Sequence, residues 1–178
     1  MKTISIVLLY GFFSFGGFSQ SPEMMQKEAM KKMEWLVGEW SGNAWTQMGP
    51  QNRDTVEMHE SISMELNGTI LKIKGTGYHA KPYGVKEVAH DAFAVVSYDA
   101  ANQKYRWQSW RVPGGYFTEY EPEVAENTFS WTMETPRGKM KYKLQRNEKG
   151  QWHETGHFSQ DGENWFPFFE MVLNKEKH

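Results

Sequence analysis

The chain of 178 residues contains no cysteine. Disulfides, thiolate nucleophiles, cysteine-ligated metals and lipid attachment through a cysteine are thereby excluded. An excess of positive charge is missing as well. Twenty Lys and Arg stand against 22 Asp and Glu, with the signs interspersed, so no basic stripe can follow a phosphate backbone, and nucleic acid is not an expected partner. No apolar run is long enough to span a bilayer: the best candidate, near the N-terminus, is short and interrupted by glycine.

That N-terminal stretch, MKTISIVLLYGFFSFGGFSQ, has one positive charge at Lys2, an apolar run from Ile4, and the small residues Gly17 and Ser19 before a cut. It reads as a secretory signal peptide, residues 1–19, and implies an exported protein, periplasmic or secreted. What remains is one domain of ordinary size and slightly acidic charge. Without disulfides in an oxidising compartment, packing alone must hold it. Material for packing is plentiful, with 8 Trp, 8 Tyr and 11 Phe. Aromatic rings serve equally as core and as ligand cage.

Residues 20–37 read as an N-terminal helix. Ser21 is a natural N-cap with Pro22 in the first turn, Met25, Ala29, Met33 and Leu36 recur at helical spacing, and Gly38 stops the run. From Gly38 the period changes to two. Ten segments of strand character follow, at 38–48, 55–66, 69–80, 90–98, 104–112, 115–124, 128–135, 138–146, 151–159 and 164–175, separated by Gly, Asn, Asp and Pro turn signals such as Asn67-Gly68 and Pro113-Gly114-Gly115. The expectation is an all-β fold: an up-and-down antiparallel β-barrel of about ten strands over residues 38–178, with a short N-terminal helix. A long sheet curls, and closure removes its edges.

The motif HETGH at 153–157 matches H-E-x-x-H, which on a helix gathers two histidines on one zinc ion. Here Trp152, Thr155, Phe158 and a central Gly156 favour a strand between two hairpin turns. Four residues along a strand span about 13 Å, too far for two imidazoles to share one tetrahedral ion easily. The match is read as a false positive, with no metal ligands assigned and no catalytic residues, and a non-enzymatic role is favoured over an enzyme. The neighbouring SQDGENW reads as a hairpin turn held by Ser and Asp side chains.

Polar groups on otherwise apolar faces mark a site, because burial is costly unless they meet a ligand or each other. Alternation carries Glu60 inward with Met58, Ile62 and Met64, and Glu154 inward between Trp152 and Phe158. Met140, Tyr142 and Leu144 share one face, as do Phe129, Trp131 and Met133. Residues 104–112 carry aromatics on both faces; Tyr105, Trp107, Ser109 and Arg111 are taken as the inward set. The candidate ligand-binding residues are thus Glu60, Trp107, Arg111, Trp131, Tyr142, Trp152 and Glu154. A closed structural network of the same groups is the competing reading.

The start WLVGEWSGNAW, with Gly38, Glu39 and Trp40 opening the first strand after a short helix, resembles the G-x-W signature of the calycin superfamily: lipocalins, fatty-acid-binding proteins and nitrobindin-like haem barrels. The whole mature chain is similar to an uncharacterised exported bacterial branch of these barrels, in SYDAANQKYRW midway and FFEMVLNK at the end. The resemblance implies that Trp40 closes one end of the barrel against the stem of Lys175, and that a small apolar or amphipathic molecule binds inside. Ten strands suit fatty-acid-binding and nitrobindin barrels better than lipocalins. Haem is a minority expectation, since 164–175 lacks the axial histidine nitrobindins place near the end of the barrel, and no cofactor is expected. Two inward acids suit a ligand with hydroxyls or a cationic group better than a fatty acid.

The expected function is non-covalent binding of a small amphipathic or lipidic ligand. The alternative is a scaffold or envelope interaction protein, for which an exposed apolar patch involving Trp45, Trp110, Phe166 and Phe168 would speak. A barrel-type isomerase or hydrolase, with Glu60 or Glu154 as general base and Arg111 stabilising an anion, ranks third.

Overall fold

The computed structural model describes residues 20–112 and 115–177. The expected signal peptide, and Pro113 and Gly114 of one expected turn, lie outside the described residues. Helix α1 (Pro22–Lys31) begins where the capping signals put it: the Ser21 hydroxyl accepts the Met24 N–H at 3.3 Å, and Glu23 and Lys31 complement the helix dipole. A 3-10 turn (Glu34–Leu36) follows. Met30, Met33 and Leu36 are all at most 2 % exposed and form a plug. Each stabilises the fold by about 1.5–3 kcal/mol through the apolar surface it removes from water.

Eleven strands make a single antiparallel sheet: β1 (Gly38–Gly49), β2 (Asn52–Glu65), β3 (Ile70–Ala80), β4 (Lys86–Asp99), β5 (Lys104–Val112), β6 (Tyr116–Tyr120), β7 (Glu123–Ala125), β8 (Thr128–Thr135), β9 (Gly138–Arg146), β10 (Trp152–Ser159) and β11 (Phe166–Lys175). Their spatial order is β6-β5-β4-β3-β2-β1-β11-β10-β9-β8-β7, so the meander is interrupted once, between β6 and β7, and the last strand β11 returns to pair with β1. The sheet curls into a half-barrel, the all-β architecture expected of a calycin-like chain.

One expected strand, 115–124, is two. Pro122 has no N–H to donate to a ladder, and the chain leaves β5 at Tyr120 to join β8 at Glu123. The two edges of the sheet, β6 and β7, therefore lie next to each other in sequence without pairing. Side chains bridge them instead. Trp107 of β5 packs on Trp131 of β8 with ring centroids 4.3 Å apart, the Tyr120 hydroxyl donates to the Met133 sulfur at 3.8 Å, and Glu121 between the edges takes the Arg106 guanidinium at 3.0 Å.

The interior is graded along the axis. At the helix end Trp40, Leu71, Val96, Leu144 and Leu173 are at most 3 % exposed. Towards the other end, inner-face residues such as Val56, His90, Ser109, Met133, Tyr142 and Phe169 are half-buried. The half-barrel is a cup with a packed floor.

Trp40 lies in that floor. Its indole N–H donates to the Leu36 carbonyl at 2.7 Å, its ring meets Trp152 edge-on at 6.1 Å, and the Lys175 ammonium stands 5.3 Å from its centroid. Gly38 has φ of 128°, and a Cβ there would stand 2.7 Å from the Lys175 Cε. Only glycine suits that backbone and that approach.

Candidate functional site

Strand alternation places the site. In β2, Met58, Glu60 and Ile62 share the buried face, and β3 answers with Gly77, Gly75 and Ile73 in register. Glycine opposite Glu60 is what lets the carboxyl lie over the inner surface: a Cβ at Gly75 would sit 2.6 Å from Glu60 Oε2. In β10 the alternation turns Trp152, Glu154 and Gly156 inward. Glu154 takes the Trp152 indole N–H at 3.2 Å.

Both acids are deeply buried, Glu60 6 % and Glu154 8 % exposed. Two strands, β1 and β11, separate β2 from β10. On a flat sheet three spacings of about 4.8 Å would hold the two strands some 14 Å apart. Register sets Glu154 level with Val56, four residues along β2 from Glu60. The charge of Glu154 nevertheless acts on Glu60 in the curled sheet. Burial first, then Glu154, push Glu60 up to about 8, against a smaller opposing effect of Lys74. Burial raises Glu154 to about 7, the Trp152 N–H opposing it. No ion pair reaches either acid among the described residues, and Glu60 has no hydrogen-bond partner there. Lys74, which eases the charge on Glu60, is itself paired with Asp91.

Aromatic rings continue the wall. Trp131 and Tyr142 stack at 4.9 Å with planes 7° apart, and Trp107 stands edge-on to Trp131. The Trp107 indole N–H is buried with no acceptor among the described residues. Burial, then the nearby Glu154 and Tyr120, raise the Tyr142 hydroxyl well above its ordinary range. Arg111 is exposed, on the same face of β5 as Trp107 and Ser109 and towards the open end. Its charge reaches Tyr142, and after burial it is the largest influence lowering His90. Glu60, Glu154, Tyr142, Trp131, Trp107 and Trp152 thus share the inner face of the sheet, as does the exposed Arg111.

Chemically, a neutral carboxylic acid can donate a hydrogen bond or a proton and a carboxylate can accept one, so the pair can hold either kind of polar group. His90 was missed as part of this face. Strand β4 begins at Lys86, before the segment read from 90, and pairs His90 with Gly77, which turns it inward beside the small residues Ala92 and Ala94. Phe168 is also turned in. A bulge between Gly156 and His157 brings both Phe168 and Phe169 against Tyr142, at 5.6 and 5.9 Å.

HETGH lies within β10. His153 faces outward and meets the Glu170 carboxylate at 2.9 Å, and His157 takes the same face by alternation. β11 carries no histidine, His157 shares the outward face of β10 with His153, and the inward His90 sits on β4. In SQDGENW, Asp161 accepts the Ser159 hydroxyl and the Glu163 and Asn164 N–H groups. It is a structural turn.

Of the expected patch, Trp110 and Phe166 are exposed, and the other two are not. Trp45 is half-buried, donates to Glu170 at 2.9 Å and lies under the Arg53 guanidinium at 3.8 Å, while Phe168 points inward. On the outer face of β4, β5 and β6 a ladder of Phe93, Trp110 and Phe117 is exposed, with centroids 5.9 and 5.4 Å apart. Two surface clefts lie outside the cup. One, of about 780 Å³, runs beside α1 at Met25, Trp35 and Tyr98, and the other, of about 520 Å³, at Ser41, Thr55, His59 and Tyr78. Neither contains any of the seven candidate ligand-binding residues.

No protein-family model and no curated protein matches the sequence. Solved structures do match its fold. Rv2717c from M. tuberculosis superposes with a TM-score of 0.58 at 8% identity, over 84% of this chain and 98% of its own. The S-type phycobiliprotein lyase CPES from Guillardia theta does so with a TM-score of 0.54 at 9% identity, over 90% and 99%. At such identities the likeness speaks for architecture alone, and with the curled eleven-strand sheet it gives the chain a calycin-like, lipocalin-like β-barrel fold.

Proposed function

We propose that the chain is an exported binding protein whose cup holds a small amphipathic molecule without covalent chemistry. The observation that carries this is the unpartnered state of the inner polar groups. Among the described residues the Trp107 N–H is buried with no acceptor, and Glu60, 6 % exposed, takes no hydrogen bond. A purely structural core would satisfy such groups or replace them, because each costs about 1–3 kcal/mol when left unmade. A bound molecule meets that cost with its polar end and lays its apolar body along Trp131 and Tyr142. The fold likeness to the structure named an S-type phycobiliprotein lyase supports the reading. Export rests on the N-terminal residues 1–19.

Native mass spectrometry of the chain starting at Gln20, purified gently from the exported fraction, tests this. A discrete excess mass that disappears on denaturation is expected. A bare polypeptide mass, with no small molecule recovered in the denatured extract, would move the reading to a second one, an interaction protein. The observation favouring that one is the exposed ladder of Phe93, Trp110 and Phe117 beside the unpaired edge β6.

A further inference from the structure

We infer that the cleft on the outer face of the sheet, across β11, β1, β2 and β3, is a second binding site, independent of the cup, and that it takes a neutral saccharide. One sugar ring lies against Tyr78, and its hydroxyls pair with Asn43, Glu57 and Asn174. The cleft holds about 520 Å³, inside the range of about 300–1,000 Å³ usual for small-molecule sites. Strand register builds it. Asn174, Ser41 and His59 stand side by side in one row, and Asn43, Glu57 and Tyr78 in the next. Both rows are turned away from the interior that Met58, Glu60 and Leu173 occupy. Ser41 and Ala80 are short, and Gly42 and Val56, which alternation turns to the other face, contribute backbone to the floor.

The polar groups of the cleft differ from those of the surface around it. Neighbouring outward groups are committed to one another: Glu170 to Trp45 and His153, Asp54 to His79, and Glu39 to Ser61. Within the cleft the side chains of Ser41, Asn43 and Thr55 take no hydrogen bond among the described residues. Asn174 accepts the Gln151 amide at 2.9 Å, which leaves its own N–H pair to donate. Hydroxyls, amides and a carboxylate together offer both donors and acceptors, as a run of sugar hydroxyls requires. An apolar molecule would cover these groups and leave their hydrogen bonds unmade.

Charge balance sets the ligand neutral. Glu57 is the one acid among the described residues that line the cleft. The Lys86 ammonium answers it at 2.9 Å, and His59 Nε2 stands 3.4 Å away, so a ligand of either sign meets no uncompensated charge. Lys86, and after it His59, hold the Glu57 carboxyl below its ordinary range, which keeps it an acceptor at neutral pH. Tyr78 supplies the apolar contact. Its half-buried ring meets His59 edge-on at 6.2 Å and the Lys86 ammonium at 5.4 Å, and so is held as a surface for the C–H face of a sugar ring.

The test titrates cellotriose, maltotriose and the N-acetylglucosamine trimer into the whole chain, followed by calorimetry and by the side-chain amide NMR signals of Asn43 and Asn174. The charged comparisons are the deacetylated glucosamine trimer and trigalacturonate. At least one neutral sugar is expected to bind with Kd below about 1 mM, to shift both amide signals, and to bind at least about tenfold more tightly than either charged trimer. Asn43→Ala and Tyr78→Ala should each weaken that binding about tenfold or more, with Tm as the control for structure. Failure of all three neutral sugars to bind overturns the inference. Equal or tighter binding of a charged trimer overturns it too, as does sugar binding that leaves both amide signals and the Asn43→Ala affinity unchanged. The amide signals of the native chain need no variant to fold.

Discussion

Glu60→Gln should stabilise the protein at alkaline pH and leave it almost unchanged in mild acid. Glu60 is buried, feels Glu154, and is raised from an ordinary 4.5 to about 8. An acid raised in the folded state holds its proton more tightly there than in the unfolded chain. Stability is therefore greatest below 4.5 and falls as pH climbs towards 8, where the folded state must at last ionise a buried group. Glu154, raised to about 7, adds the same sign over the lower part of that window. At about 1.4 kcal/mol for each unit, the Glu60 interval sets a ceiling of about 5 kcal/mol. Relaxation and water entering the open end reduce it, and about 2 kcal/mol is expected near pH 8.5. A neutral amide of nearly the same shape avoids that loss.

For a domain of this size about 2–4 °C of Tm accompanies each kcal/mol, so Tm should rise by about 4–8 °C near pH 8.5 and by less than about 2 °C near pH 5. Thermal melts by circular dichroism across that range, on the native chain and the variant, make the measurement. A gain of equal size at both ends would show that the carboxyl's ionisation is irrelevant. A loss that grows at alkaline pH would show that the carboxylate has a buried cationic partner, and would refute the unpaired-acid reasoning.

Two further substitutions probe the walls and the floor. Trp107→Phe keeps a ring against Trp131 and Phe129 while removing the orphan N–H, so stability should change by less than about 1 kcal/mol, against the 3–5 kcal/mol usual for loss of a whole buried aromatic. Urea unfolding measures it, and a loss above about 3 kcal/mol would mean that the N–H has a partner. Gly38→Ala should cost about 1–3 kcal/mol, because φ of 128° is strained for any side chain and the new Cβ presses on the Lys175 stem. An unchanged Tm would remove Gly38 from the account of the floor.

Much of the fold was legible because it is local. Period-two alternation is a property of the extended backbone, and it assigned Glu60, Glu154, Trp131 and Tyr142 to the inner face before any contact was known. The same logic turned HETGH into a strand, since Gly156 and the flanking turns deny it a helix. Ser21 and Pro22 marked the helix start through their own side chains. Alternation was insufficient where aromatics occupied both faces of β5. There the pairing of Trp107 with Tyr120 and Val96, in register, decided the inward set. It also miscounted strands at Pro122, where the change of partner from β5 to β8 is a tertiary event.

The sequence alone determined that polar groups would enter an apolar interior, because side-chain direction in a strand follows from neighbouring peptide geometry. Only the tertiary structure decided which of them meet. Glu60 and Glu154 are far apart along the chain, and in the sheet curled through β1 and β11 the charge of Glu154 acts on Glu60. His90 joined the inner face through the register of β4 on β3, and Phe168 through a bulge, neither of which is written in a local pattern. Arg111 shares the face of Trp107 but is exposed, because position along the barrel axis depends on the stagger of strands around the curl, and alternation carries no information about stagger.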